Sequence, residues 1–158
     1  MDLSLSTPKC TLVPSNFFDA GSAREALAAV VELDEDDEVK SVEVPQYGAY
    51  LIYVSGKGCE TLPEMFFLLK DLPSCKEYNK ILCSHADGWL HIAIAQGGSL
   101  LLANSYRAPD FTTAEYFIFL AVKSLQINPE ISTIYFRTPL GAEDEISLYK
   151  YFKSVDTL

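Results

Sequence analysis

The side chains best suited to acid–base or nucleophilic chemistry lie close together between residues 83 and 91. This stretch contains Cys83, His85, Asp87 and His91, and His85 and His91 are the two histidines of the chain. A histidine can serve as the base for a thiol when a carboxylate orients its ring. Cys83 and His85 lie two positions apart on one predicted strand, and same-strand neighbours lean away from such a contact. A cysteine–histidine enzyme therefore stays an alternative that requires a pocket joining both side chains.

The other motifs that suggest metal or phosphate binding lack residues that such sites need. Asp34 to Glu38 is the most acidic run of the chain, but it has neither the alternating ligands nor the central glycine of a calcium loop. Ser55 to Gly58 contains a Gly-Lys pair, yet a phosphate loop needs an earlier glycine and a hydroxyl residue directly after the lysine. The two histidines show no metal-ligand spacing. The sequence therefore predicts that residues 34–38 form a solvated connection, that residues 55–58 form a loop, and that the histidines hold no metal.

Composition limits the classes of partner and location that the chain can have. A chain of 158 residues with 49% hydrophobic residues can form one domain or two small ones that share an interface. The net charge of −10 argues against nucleic acid and anionic membranes, which both favour basic proteins. No apolar run approaches the roughly 18 residues of a membrane helix, and the first ten residues do not form a secretory signal. The four cysteines lack C-x-x-C spacing, so we expect reduced thiols and a cytoplasmic protein.

A three-stranded meander is the predicted element that carries the candidate residues. The strands are Ile81 to His85, Trp89 to Ala95 and Leu100 to Tyr106. Asp87-Gly88 and Gly97-Gly98 separate them, and such pairs between apolar runs are strong signals for hairpin turns. Neither face of the middle strand is polar, so we expect other elements to cover both faces.

Further strands and helices are predicted on either side of the meander. Before it come a strand at Cys10 to Val13, a helix from a Ser22–Glu25 capping box to about Glu32, a hairpin over residues 39–54, and a helix opened by a Thr61–Glu64 capping box. After it come a helix from a Thr112–Glu115 box to about Gln126, a strand at Ile131 to Arg137, and a helix at Glu143 to Lys153. We expect segments 1–75 and 76–158 to form one compact unit.

Two phrases, TLVPSNFFD and GGSLLLANSY, are the specific parts of a longer family resemblance. Between about Cys10 and Phe136 the chain resembles a bacterial domain family of unknown function, whose members are regarded as remote relatives of actin-like ATPases. Within that superfamily the pilus-assembly ATPases are nearest in style. The resemblance implies an α+β or α/β fold. It contains a ribonuclease-H-like unit of meander, helix and further strand, preceded by an N-terminal βαββα segment.

The same resemblance implies a nucleotide site that this chain departs from in two ways. Family members carry an upstream lobe that forms half of the nucleotide cleft, whereas this chain begins almost at the TLVPSNFFD segment. The pattern of the pilus-assembly ATPases also places a metal-holding aspartate at the end of the first meander strand and a glycine two residues later. Those two positions fall on Ser84 and Ala86. Asp87 and Gly88 keep the turn, but they are shifted from the catalytic register. Serine cannot anchor Mg²⁺ as a carboxylate can, so ATP hydrolysis is disfavoured.

The sequence therefore predicts a non-catalytic interaction or scaffold component with a degenerate actin-like fold and no cofactor. Its expected partner is a protein or a second copy of the chain, without nucleic acid or membrane insertion. Trp89, His91, Asn104 and Tyr106 form the candidate interaction surface. The alternative is an ATP-binding protein that completes its cleft with a partner or by dimerisation.

Overall fold

Two β-sheets and four α-helices make up the part of the chain described by the computed structural model, residues 7–55 and 61–158. The first sheet is small and antiparallel, and the second is larger and mixed. Gly56 to Gly58, which carry the Gly-Lys pair, lie outside the described residues, as does Cys59. None of the described helices has the length and apolar character needed to cross a membrane.

The small sheet is formed by the N-terminal segment in the strand order β1-β3-β2. A left-handed Gly48, with φ 60°, joins β2 to β3, and glycine adopts this conformation without steric cost. Leu27 of the first helix, α1, packs against Ile52 of β3. The bounds of these elements are β1 Cys10–Pro14, α1 Ala23–Ala28, β2 Glu38–Val44 and β3 Ala49–Ser55.

The predicted meander is confirmed as three antiparallel strands of the larger sheet. Asp87 and Gly88 occupy the tight turn between the first two strands with φ angles of 55° and 79°. A turn with positive φ at both central residues matches the twist of a hairpin, and aspartate and glycine are among the residues that adopt it. The strands are β4 Asn79–Ala86, β5 Trp89–Gln96 and β6 Ser99–Arg107.

Two further strands extend the larger sheet to the order β6-β5-β4-β7-β8. The seventh strand runs parallel to β4, and the eighth runs parallel to the seventh. The eighth strand was not predicted from the sequence, where the terminal helix extended to Lys153. The bounds are α2 Glu64–Asp71, α3 Phe111–Ser124, β7 Thr133–Phe136, α4 Ala142–Tyr149 and β8 Ser154–Thr157.

Both faces of the larger sheet are covered, as the apolar pattern of β5 predicts. Ile92 and its neighbours on one face pack against α3, α4 and the segment that follows α4. Ala93 and its neighbours on the other face pack against α2 and the small sheet, including Leu51. This second core joins residues from both predicted segments, and the boundary near residue 75 stays a prediction.

The helix starts differ from the sequence-based expectation at all three capping boxes. The Ser22 side chain makes no capping bond, and Asp19 accepts hydrogen bonds from the Gly21 N–H and the Ser22 hydroxyl instead. The helix that Ser22 opens also ends earlier than predicted, and Val30 is exposed rather than buried. At α2 no side chain caps the helix, because the N-cap residue is Pro63, and Glu64 turns into the protein interior.

At α3 the N-cap is Asp110, two residues before the predicted Thr112. Its Oδ1 accepts a hydrogen bond from the Thr113 N–H at 2.7 Å. This bond satisfies one of the amides that the first turn of a helix leaves without an intrahelical partner.

Replacing Asp110 by alanine should therefore destabilise the protein, whereas Thr112→Ala should leave stability near that of the wild type. Both side chains are exposed, so the comparison isolates the cap. Urea unfolding followed by circular dichroism measures the difference, and a larger effect of Thr112→Ala would support the capping box instead.

Candidate functional site

The candidate site lies at the carboxyl end of β4, where the family resemblance places the metal-holding residue. Parallel strands β4 and β7 end at the same sheet edge, and Cys83 is in register with Phe136. The next residues, Ser84 and Arg137, are therefore neighbours, and the Arg137 N–H donates to the Cys83 carbonyl at 2.8 Å. In open α/β sheets this edge is the usual location of ligands.

A buried carboxylate from α2 fills this position. Oε1 of Glu64 accepts a hydrogen bond from the Ser84 hydroxyl at 2.6 Å and from Nε of Arg137 at 2.9 Å. Oε2 of Glu64 accepts a longer contact of 3.5 Å from the same guanidinium. The Glu64 and Arg137 side chains are only 9% and 8% exposed. We call Glu64, Ser84 and Arg137 the carboxylate cluster.

Neighbouring groups hold the carboxylate cluster in place. The Phe67 ring, one turn along α2, lies 4.8 Å from the guanidinium carbon of Arg137, a distance that suits a cation–π contact. Glu64 is the first residue of α2, so its negative charge meets the positive end of the helix dipole. Met65 and Leu68 anchor that helix in the core, and this packing fixes the direction of the carboxylate.

His91 and Ser105 continue a row of polar side chains that starts at Ser84 and runs across the sheet. It is paired with Ser84 on one side and with Ser105 on the other. Nδ1 of its ring lies 2.7 Å from the Ser105 hydroxyl. Burial lowers the pKa of His91, while the nearby Glu64 carboxylate opposes that shift. The imidazole is therefore neutral at pH 7, and it does not add a second positive charge beside Arg137.

The residues at this edge do not fit a magnesium–nucleotide site. Mg²⁺ binds carboxylate and water oxygens in near-octahedral geometry. Here the Ser84 hydroxyl donates its proton to Glu64, and Arg137 neutralises that carboxylate. Asp87 lies in the exposed hairpin turn, away from this buried cluster. Over residues 7–55 and 61–158, no group of three histidine, cysteine or acidic side chains is placed to hold a metal ion.

The turn after β4 is hydrogen-bonded to the segment that connects β6 to α3. The Gly88 carbonyl accepts a hydrogen bond from the Ala108 N–H at 2.8 Å. Ala86, at the glycine position of the pilus-type pattern, is the exposed last residue of β4. The Ser84, Ala86, Asp87 and Gly88 positions therefore divide between a buried cluster and a surface turn.

The predicted interaction surface is not formed by its four residues. His91 is buried, so it contributes nothing to the surface, and this part of the prediction is wrong. Strand alternation places Trp89 on the same face as His91, toward α2. Asn104 and Tyr106 belong to the opposite face, where Tyr106 stacks on Phe117 of α3 at 4.6 Å. The four side chains therefore lie on two sides of one sheet.

Cys83 and His85 do not form a reactive pair. Cys83 lies in the apolar core beneath α3, and burial raises the pKa of its thiol, which stays protonated at neutral pH. Nε2 of His85 donates to the Ala108 carbonyl at 2.8 Å, and its ring contacts Phe111 edge-on. The geometry gives the thiol no base and no access to solvent.

Three residues of the site were missed by sequence reasoning: Glu64, Ser105 and Arg137. Glu64 matched a capping box, a local pattern that gives no hint of a distant cation. One signal was available at β7, where Thr133, Tyr135 and Arg137 alternate along a strand with an apolar middle. An arginine that continues the inward alternation of a buried strand needs an acidic partner, because arginine is rarely buried unpaired.

Replacing Arg137 by methionine should destabilise the protein by about 3–5 kcal/mol, since it leaves the Glu64 charge buried without its partner. The double variant Glu64→Gln/Arg137→Met should recover part of this loss. Arg107→Met is the matched control, because Arg107 is an exposed residue of β6, and its effect should stay within about 0.5 kcal/mol. Chemical unfolding gives all three values, and a loss below about 1 kcal/mol for Arg137→Met would contradict the role assigned to the pair.

Stability should also fall as the pH is lowered from neutrality, through His91. Its folded-state pKa lies below the unfolded value of about 6.5, so the unfolded chain binds the proton more readily. The histidine contribution is complete above that unfolded value and is lost as pH falls through it toward the folded pKa. His91→Asn should flatten this part of the profile in unfolding measurements from about pH 8 to about pH 5. An unchanged slope in the variant would show that another group titrates.

Comparison with known proteins assigns the family and the fold. The model of the family DUF3822, described as a protein of unknown function, matches residues 57–155. Among solved structures, the chain is similar to a protein with an actin-like ATPase fold and unknown function from Bacteroides thetaiotaomicron VPI-5482, with a TM-score of 0.79 and 18% identity. That match covers 97% of this chain and 66% of the other. A search of curated proteins gave no match. The chain thus belongs to the DUF3822 family of proteins of unknown function, and its fold is of the actin-like ATPase type.

Proposed function

We propose that this protein is a non-catalytic interaction or scaffold component built on a degenerate actin-like ATPase fold. The carboxylate cluster is the observation that carries the proposal. The Ser84 hydroxyl lies 2.6 Å from Glu64, and Arg137 neutralises the same carboxylate. The position that would hold a metal is therefore occupied by a buried network made entirely of the protein's own side chains.

Phosphoryl transfer depends on a bound metal ion, and the carboxylate in this network is not free to ligate one. Metal ions bridge the phosphate oxygens and neutralise the charge that develops during transfer. A carboxylate that is already bound to a guanidinium and a hydroxyl has to lose both partners before it can ligate a metal. Separating such a buried pair leaves two uncompensated charges, at a cost of several kcal/mol.

Exposed apolar side chains on the outer helices support an interaction role. Tyr116 and Leu120 of α3 are 61% and 48% exposed, and Ile146 and Tyr149 of α4 are 62% and 48% exposed. Clustered apolar surface of this kind is typical of protein–protein contact sites.

Cys10, Cys75 and Cys83 are free thiols, and this agrees with the cytoplasmic location that we propose.

Isothermal titration of the purified chain with ATP and Mg²⁺ tests the catalytic half of the proposal. We expect no saturable heat in the titration and, in a separate thermal melt with the same ligands, no shift in melting temperature. Saturable heat that disappears when EDTA removes the metal would overturn the proposal and favour the alternative, an ATP-binding protein.

An acid introduced at position 84 should not create a metal site. Ser84→Asp places a second carboxylate beside Glu64 in a buried environment, and two like charges at such a distance cannot both ionise without penalty. We expect a loss of stability of about 3 kcal/mol or more and no binding of ATP and Mg²⁺. Ser99→Asp, at an exposed position of β6, is the control and should be nearly neutral. A stable Ser84→Asp variant that binds the metal nucleotide would show that the network is not an obstacle.

A further inference from the structure

An apolar groove of about 330 Å³ lies at the C-terminal end of α3. It is lined by Phe119, Val122, Lys123, Gln126, Ile127 and Pro129. Its volume lies at the lower end of the roughly 300–1,000 Å³ of ligand pockets, which suits one or two apolar side chains.

The groove arises from the way that the chain leaves α3. Gln126 adopts a left-handed conformation with φ 58°, which turns the chain out of the helix. The Ile127 N–H then donates to the Val122 carbonyl at 2.9 Å. Pro129 is held from the far side, because its carbonyl accepts a hydrogen bond from the Lys153 N–H at 3.1 Å. The walls are thus fixed by backbone hydrogen bonds.

Aromatic side chains continue the apolar surface beyond the groove. Phe119 contacts Tyr151 edge-on at 4.7 Å, and half of the Tyr151 surface remains exposed. Tyr116 and Leu120 lie on the adjoining side of α3, one to two turns before Lys123, and both are exposed. The groove therefore forms the centre of a wider apolar patch.

Three lysines belong to the segments that form this patch, on a protein whose net charge is −10. Lys123 lines the groove, Lys153 is bonded through its backbone to Pro129, and Lys150 precedes Tyr151. These three side chains are exposed, and no other described residue forms an ion pair with them. Lys123 and Lys150 lie at helix C-termini, where the helix dipole favours a cation. Glu130 is the acidic residue adjacent to Pro129.

We propose that this groove binds an acidic amphipathic segment of another protein. A large apolar side chain of the segment enters the groove, and its carboxylates pair with Lys123 and Lys153. A second copy of the chain is a poorer occupant, because a twofold contact brings the same patch, with its three lysines, against itself. This inference rests on the proposed interaction function and specifies the partner's chemistry.

A pair of fluorescein-labelled synthetic helical peptides tests the proposal by fluorescence anisotropy. Both carry leucine and phenylalanine along one face. All remaining positions are glutamate in the first peptide and lysine in the second. We expect saturable binding of the acidic peptide that weakens with added salt, and no binding of the basic peptide. Equal binding of the two peptides, or binding of neither, would overturn the proposal.

Charge reversal gives the matched test on the protein side. Lys123→Glu/Lys153→Glu should weaken binding of the acidic peptide at least tenfold and create binding of the basic peptide. Lys76→Glu is the control, because it makes the same type of charge change at an exposed position before β4. Loss of binding in the control as well would show an effect of net charge alone and would overturn the site.

Leu120→Asp tests the apolar part of the surface. Because Leu120 is 48% exposed, we expect the variant to keep the wild-type melting temperature while it loses the acidic peptide. A dimer seen by light scattering that this substitution dissociates would identify a second copy as the occupant and would overturn the proposal. These outcomes are independent of the ATP titration, so failure of the docking site and failure of the non-catalytic assignment can be told apart.

Discussion

The ion pair between Glu64 and Arg137 is the constraint on which the architecture depends. It joins the first residue of α2 to the residue after β7, across 73 positions of sequence. Replacing a buried ion pair by apolar residues is often neutral for stability, whereas removing one partner is costly. The pair is therefore best understood as a constraint on relative position. The helix, the end of β4 and the end of β7 have to meet at one place for either charge to be tolerated.

This constraint also separates the fold of the protein from its chemistry. The chain shares its fold with a crystallised Bacteroides thetaiotaomicron protein of unknown function, at 18% identity. A shared fold does not transfer an activity, because activity depends on particular side chains at a particular place. At the sheet edge where this fold would accommodate a ligand, three side chains satisfy each other. Exposed apolar side chains lie elsewhere, on the outer helices α3 and α4.

Local signals predicted most of the fold, and long-range contacts explain what they missed. Asp87 and Gly88 identified the hairpin because positive φ is a property of those residues themselves. The capping boxes at Ser22 and Thr61 are equally local, but the Ser22 hydroxyl bonds Asp19 and the Glu64 carboxylate bonds Ser84 and Arg137 instead. Strand β8 is four residues long and contains a single buried side chain, Val155, so its sequence carries almost no alternating pattern. Glu64 could not be placed in the site from sequence because its partner lies in another segment of the chain.

The row formed by Ser84, His91 and Ser105 has a consequence for how the strands align. These three residues lie opposite one another on adjacent strands, on a face that is otherwise mostly apolar. A slip of β5 by one residue would turn His91 toward the mostly apolar layer beneath α3 and bring Ile92 against the carboxylate cluster. The first exchange buries the His91 imidazole away from its partner, the Ser105 hydroxyl. The polar row thus favours the observed strand register over misaligned registers that hydrophobic packing alone would tolerate.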